Sequence, residues 1–285
     1  MRNAFIMIWA VWPGLALAQT PITFEYHPAA AVTVRMMVDS RGERLMNGVP
    51  GVIDGTVVEF TASGGITSRT IPVSGGNFGL ELRYDSLRAR FRVGTGTWSE
   101  GQLAFRSPVE ALFTTDRRLA LGAPTFVGDA TVGEKARSGT GRPHLALPEN
   151  PVSVADPWQS ELQLPFASEI PGDGAGMVMA TLTAPAIGSL DSLVIRGADT
   201  LAYLSGHGQF HPSTVTSTLT VGGEPASAEL WGEFAGKFIW STAWNAFVST
   251  AIVARVHQRF EAAVGSGVED ARVTTTVTTR VRVRT

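Results

Sequence analysis

His207 and His211, in the run Gly206-His207-Gly208-Gln209-Phe210-His211-Pro212, come nearest in this chain to a metal-binding pair. Two imidazoles at that spacing, in a loop able to fold around an ion, suit a metal such as zinc. A third and a fourth ligand are not visible, and glycine-flanked histidines read equally well as solvated polar side chains. His27, His144 and His257 stand singly. Acid–base chemistry would have to draw on Asp116, Asp129, Glu134, Asp156, Glu161, Asp173, Asp191 or Asp199, and no spacing singles out two of them. Such pairs work through their separation in space, which a sequence does not display. The chain has no cysteine, which removes thiol nucleophiles, thiolate metal ligands and redox pairs together. The Gly-x-Ser-x-Gly elbow, the phosphate-binding glycine loop, the His-Glu-x-x-His helix and the calcium loop are absent as well. No catalytic residue and no cofactor is assigned, and a binding protein is expected before an enzyme.

Apolar side chains give the one positive indication. Trp231, Phe234, Phe238, Trp240, Trp244 and Phe247 crowd into a short stretch of chain, with Phe260 beyond them. On a curved sheet such a concentration can line an apolar cavity. The same residues can also simply fill a core, the commoner use of large aromatic rings.

The compartment is read from the beginning of the chain. Met1-Arg2-Asn3 is a short cationic start, Ala4 to Trp12 an apolar run, Pro13-Gly14 a break, and Ala16-Leu17-Ala18 the small-x-small pattern a signal peptidase cuts. This predicts a signal peptide over residues 1–18 and export to the periplasm or the extracellular space. The run is shorter than the roughly 20 apolar residues a helical anchor needs, and no cysteine follows the cut to carry a lipid. A soluble protein without a stable membrane anchor is expected. The formal net charge is −2, and loss of Arg2 takes the mature chain to −3, opposite to the basic excess of nucleic-acid-binding domains.

Period-two alternation dominates the rest of the chain. Val32-Thr33-Val34-Arg35-Met36, Val57 to Thr61 and Ser68 to Val73 read as strands, with turns expected at Asn47-Gly48, Gly64-Gly65 and Gly75-Gly76-Asn77. Apolar residues sit at even positions in Leu80 to Tyr84 and at odd ones in Leu87 to Val93, so Asp85-Ser86 must absorb a slip as a bulge or tight turn. Ser107-Pro108-Val109-Glu110 carries a hydroxyl cap, a proline at the first helical position and a glutamate three residues on, which predicts a short helix to about Arg118. Residues 133–143 are polar and aperiodic and read as a linker between a first β-rich half, 19–132, and a second, 144–285. Residues 240–260 fit a helical stripe or a strand, and their dense β-branched residues favour the strand. At the end of the chain the valines from Val273 to Val283 face one side and the arginines from Arg272 to Arg284 the other. This is a strand with a solvated face, whose arginines would protect a sheet edge.

Pro151-Val152-Ser153-Val154-Ala155-Asp156-Pro157-Trp158 resembles the proline-valine-x-valine-glycine-aspartate-x-tryptophan segment of uncharacterised secreted or lipid-anchored bacterial β-rich proteins, with Ala155 in place of the usual glycine. In those families the segment precedes strands of a curved sheet. Ala228 to Trp240 is similar to their late hairpin, strand, glycine turn, strand. The resemblance implies a curved antiparallel sheet and carries over no catalytic residue.

The expected fold is mainly β: a curved antiparallel sheet, half-barrel or open barrel with one short helix, with a β-sandwich as the competitor. The expected function is a noncatalytic exported envelope protein that binds a hydrophobic ligand or a partner protein in the curve of its sheet. A structural or interaction module of the envelope is the alternative, and a metal-dependent enzyme the remote one.

Overall fold

The computed structural model describes residues 21–26, 33–49, 51–72, 78–101, 103–106, 108–115, 118, 125–127, 144–170, 176–221, 224–261 and 271–284. These form β1 (Thr33–Asn47), β2 (Thr56–Pro72), β3 (Phe78–Val93), β4 (Ser99–Glu100), β5 (Val109–Thr115), β6 (Thr125–Val127), β7 (His144–Leu145), β8 (Pro157–Ile170), β9 (Gly176–Arg196), β10 (Asp199–Val221), β11 (Glu224–Ser241), β12 (Ala246–Glu261) and β13 (Ala271–Val283). All belong to one open antiparallel sheet in the order β6-β5-β3-β2-β1-β13-β12-β11-β10-β9-β8-β7, with β4 also on β3. No helix occurs among the described residues. The expected leader over 1–18, the linker over 133–143 and the turn at Gly75-Gly76-Asn77 lie outside them.

Strict alternation is what makes these segments strands. On β1, Met36, Val38, Arg44 and Met46 are buried while their odd-numbered neighbours are exposed, the pattern of a strand with one face in a core and one in water. The expected slip on β3 is a bulge. Gly65 pairs with Ser86 and Ile66 with Tyr84, so Asp85 has no partner position across the ladder, and both Tyr84 and Leu87 point inward.

Several local expectations are overturned. Val109–Thr115 is strand β5, paired antiparallel with Phe78–Tyr84 of β3, with Val109 and Ala111 buried between the more exposed Glu110 and Leu112. Capping residues contribute only about 1 kcal/mol, less than a seven-residue ladder on the free flank of β3. Gly64-Gly65 lies inside β2, and Gly232 and Gly236 inside β11, with no hairpin there. The glycines serve close approach: a Cβ at Gly232 would sit 2.0 Å from the Arg255 carbonyl oxygen. Residues 246–261 are a strand, with Thr250, Ile252, Ala254 and Val256 on the buried face. β13 is central, with β1 on one side and β12 on the other, so its arginines guard no edge.

The sheet is strongly curved. Neighbouring strands are about 4.8 Å apart, so β8 and β12, four steps apart in the order, would be separated by about 19 Å in a flat sheet. Yet Gln258 on β12 donates a buried hydrogen bond to the Ser168 hydroxyl on β8 at 3.1 Å, and another to Thr275 at 3.1 Å. The Arg44 guanidinium of β1 likewise reaches the Ala167 carbonyl of β8, 3.4 Å away. It lies over the Phe60 ring, 4.0 Å from its centroid, and a Cβ at Gly42 would strike that ring at 2.7 Å. Inside the curl, one apolar cluster joins β7 to β13 with Met46 and Val58, and a smaller one lies under β1, β2, β3, β5 and Val281.

The inward face of β13 gives a direct test. Val281 is 3% exposed and Arg282 faces water, whereas Val277 is only half-buried. Val281→Asp should lower the denaturant midpoint by the equivalent of several kcal/mol, and Arg282→Asp by no more than about 1 kcal/mol. Equal losses in chemical denaturation would show the register to be wrong.

Candidate functional site

The Pro-Val-x-Val segment builds the entrance to β8. The Asp156 carboxylate accepts from Ser153 N at 2.9 Å, and Asp156 N donates to the Ser153 carbonyl at 3.1 Å. Between them Ala155 takes φ 72°, a left-handed conformation that costs an alanine roughly 1–2 kcal/mol and a glycine little. This accounts physically for the glycine of the similar segments. Ala155 N donates to the Leu190 carbonyl at 2.8 Å, joining the turn to β9. The Trp158 indole lies flat on Gly188, where a Cβ would be 2.4 Å from the ring, and its Nε1 donates to the Ala146 carbonyl at 3.3 Å.

The same turn holds the segment Ile22–Tyr26. Ile22 and Val152 exchange backbone hydrogen bonds of 2.9 and 3.0 Å. Phe24 and Tyr26 are buried, with Thr23 and Glu25 exposed between them. Phe24 meets Trp240 of β11 edge to face at 6.3 Å, and Tyr26 meets Phe78 of β3 at 5.5 Å. The Tyr26 hydroxyl shares a buried 2.9 Å hydrogen bond with Thr70 of β2. Two residues of extended chain span about 7 Å, yet these contacts join β11 to β2, about 19 Å apart along a flat sheet. Ile22–Tyr26 is therefore a strap across the concave side of the curl.

The six aromatic candidates separate into three groups. Phe234, Phe238, Trp240 and Phe247 are inward and 1–4% exposed. Their rings pack together, Phe238–Phe247 at 5.7 Å and Trp240–Phe247 at 5.1 Å, with Phe234 against Phe210 at 5.5 Å. Trp231 is on the outward face, stacked on His257 at 5.6 Å. Trp244 is exposed in the turn between β11 and β12. The inward four form one apolar surface beside Phe24; the other two do not contribute to it. Period-two alternation from Ile22 onward marks Ile22–Tyr26 as extended chain in the sequence, but its path across the sheet is not legible there.

His207 and His211 lie on strand β10 and not in a loop, and both are exposed. Four residues of strand separate them by about 13 Å, too far to share an ion. Among the described residues no three His, Cys, Asp or Glu side chains are grouped to hold a metal. Of the candidate carboxylates, Asp191 and Asp199 hold strands and turns together. Asp191, the residue bulged out of the β9–β10 ladder, accepts from Lys237 at 2.7 Å and Ser205 at 2.7 Å. Desolvation works against its ionisation, but these hydrogen bonds and the Lys237 charge outweigh it and hold its carboxyl below the usual range. Asp199 ties the β9–β10 hairpin to the β11–β12 turn, accepting from Ser241 at 2.6 Å and Ala243 N at 2.9 Å. Here too desolvation is outweighed, by the bonds from Ser241 and Ala243, and the carboxyl lies below its ordinary value. Glu161 is exposed on β8, and Asp116, Asp129, Glu134 and Asp173 lie outside the described residues.

No protein-family model matches the chain, and no curated protein matches it. Among solved structures it is similar to one titled for lipid–protein interactions in lipovitellin, at 10% identity and a TM-score of 0.46, over 92% of this chain and 26% of that one. The chain thus spans about a quarter of the length of that relative.

Ala155→Gly should raise the melting temperature, by the equivalent of up to about 1 kcal/mol, since it relieves the left-handed alanine. Gly188→Ala should lower stability by about 1–3 kcal/mol through the clash with Trp158, and a null effect in thermal unfolding would contradict the flat packing. Asp199→Asn should destabilise the neutral-pH protein by about 1 kcal/mol. Because the folded carboxyl titrates below the unfolded one, near 3.9, the wild-type advantage is full above that value. It should disappear as the pH falls through the lower folded value, a convergence to be followed by urea unfolding at successive pH values.

Proposed function

We propose that this is a noncatalytic exported protein that holds an extended apolar ligand along the concave side of its curved sheet. The observation that carries this reading is the strap. An extended segment with apolar side chains at alternate positions already lies there, with Phe24 on Trp240 and Tyr26 between Phe78 and Thr70. That is a direct example of the chemistry this face accepts: a narrow chain, an apolar contact to one side, and a hydroxyl to satisfy a polar atom. An acyl chain or an extended apolar peptide has the same shape and surface.

In this reading the strap is the resident occupant and a ligand competes with it. Burying Phe24 and Tyr26 stabilises the docked strap by roughly 1.5–3 kcal/mol each, so apparent ligand affinity is lowered by the fraction of molecules whose strap is docked. Export rests on the leader read in the sequence and is part of the same proposal.

The test is a titration of the purified protein with a fluorescent fatty acid, together with solvent extraction and mass spectrometry of what the protein carries. The double variant Phe24→Ala/Tyr26→Ala should bind the probe at least about tenfold more tightly than the wild type, with the sheet intact by far-ultraviolet circular dichroism. No extracted apolar compound, and no gain in probe binding by a folded double variant, would leave the aromatic cluster as core alone and the protein as a structural module.

A further inference from the structure

The topology places the arginines of β13 beside those of β1, β2 and β3 on the outward face. In one cross-strand row Arg280 lies opposite Asp39, Asp39 opposite Ser63, and Ser63 opposite Arg88. In the next, Thr278, Arg41, Thr61 and Arg90 lie side by side. Arg282 lies opposite Met37, and Arg284 N bonds to the Arg35 carbonyl at 2.8 Å, setting two like charges side by side. These arginines are exposed. The ion pairs of this face among the described residues are made by others, Arg69 with Glu81, Arg83 with Asp85 and Arg92 with Glu59.

Like charges facing each other across a ladder are destabilising, and a sheet needs only polar residues to keep a face wet. Guanidinium forks interleaved with Ser and Thr hydroxyls, which outnumber the Asp39 carboxylate among them, are, in contrast, a donor array suited to phosphate oxygens. Strands about 4.8 Å apart and same-face residues about 7 Å apart along each strand present those donors in two dimensions. A groove of about 370 Å³ runs through the array, lined by Asp39, Arg41, Thr61, Ser63, Thr278 and Arg280. Met37 stands exposed within the field, and Val253 of β12 stands exposed at its margin, opposite Thr278. The chain carries −2 overall, so this local cationic excess is offset elsewhere and the molecule is electrically polarised. An anionic partner is steered to this face.

We infer that the outward face of β13, β1, β2 and β3 docks on the phosphate headgroups of an anionic lipid surface. A lipid surface fits better than a linear polyanion, because the donors extend beyond the groove across four strands, to Arg88, Arg90 and Arg284, and apolar side chains stand beside them. The inference stands apart from ligand binding in the curl, which uses the opposite face of the sheet.

The test is co-sedimentation of the purified protein with phosphatidylcholine vesicles, with and without phosphatidylglycerol, at low and high salt. Binding is expected only to the vesicles containing phosphatidylglycerol and should weaken as salt rises. Each neutralised arginine should lower partitioning about fivefold, so Arg88→Gln/Arg90→Gln/Arg280→Gln should lose on the order of 100-fold. Its melting temperature should stay unchanged, since these side chains make no ion pair among the described residues. Arg196→Gln, near the β9–β10 turn, serves as the control and should bind like the wild type. Equal binding to both vesicle types, undiminished binding by the triple variant, or capture by heparin or duplex DNA with no vesicle binding would each overturn the inference.

Discussion

The pairing of β1 with β13 is the contact on which the rest of the structure depends. It runs from Met36↔Val283 to Asn47↔Arg272 and joins segments more than two hundred residues apart, so its loop-closure cost falls on the whole chain. Without it β1–β6 and β7–β13 would each present a free edge. With it they become one sheet, and the side chains of both ends share a core. Ser40 and Thr279 add a 3.0 Å hydrogen bond between inward hydroxyls in the middle of the ladder. The alternation of β13 is well suited to this position: buried Val273, Thr275 and Val281 inside, arginine and threonine outside.

Curvature is a consequence of what must then be buried. A flat sheet of this width would leave its apolar face to water, whereas a curl lets that face cover itself. Polar side chains fix how far the curl goes. Gln258 meets Ser168 and Thr275 in an otherwise apolar region, and Arg44 meets Phe60 and the Ala167 carbonyl. Buried polar groups of this kind tolerate few alternatives, because a shifted strand would leave them unpaired at a cost of about 1–3 kcal/mol each. They specify the depth of the curl more sharply than the interchangeable aliphatic contacts around them.

The two faces of the sheet consequently have different chemistry. The concave side is apolar and crossed by the strap, which the Val152 turn holds through Ile22. The convex side carries guanidinium and hydroxyl groups in register. Two of the candidate carboxylates act as joints: Asp191 fastens β9 to β10 and β11, and Asp199 fastens one hairpin to the next.

Local alternation was enough to determine that this chain is β-rich, that β3 slips by one residue near Asp85, and that residues 271–283 are a strand with a defined inner face; for residues 240–260 it left helix and strand both open, and β-branched content favoured the strand that the structure shows over 246–261. Side-chain period is a property of neighbouring residues, so a sequence displays it directly. The apparent helix at Ser107-Pro108 failed because its cap signals are local and weak, while the free flank of β3 that captured Val109–Thr115 lies outside any local window. The aromatic residues between 231 and 247 were legible as a group, but only the fold placed four of them inward and turned Trp231 and Trp244 away. His207 and His211 kept their spacing and lost their meaning, since four residues on a strand reach much farther than four in a folded loop. The alternation of Ile22–Tyr26 and the arginine row of the last strand are legible in the sequence, but the crossing of the strap and the assembly of the arginine field belong to the tertiary structure. Both depend on which distant strands lie side by side, and pairing between the first and last strands is decided by the burial and hydrogen bonding of the whole sheet.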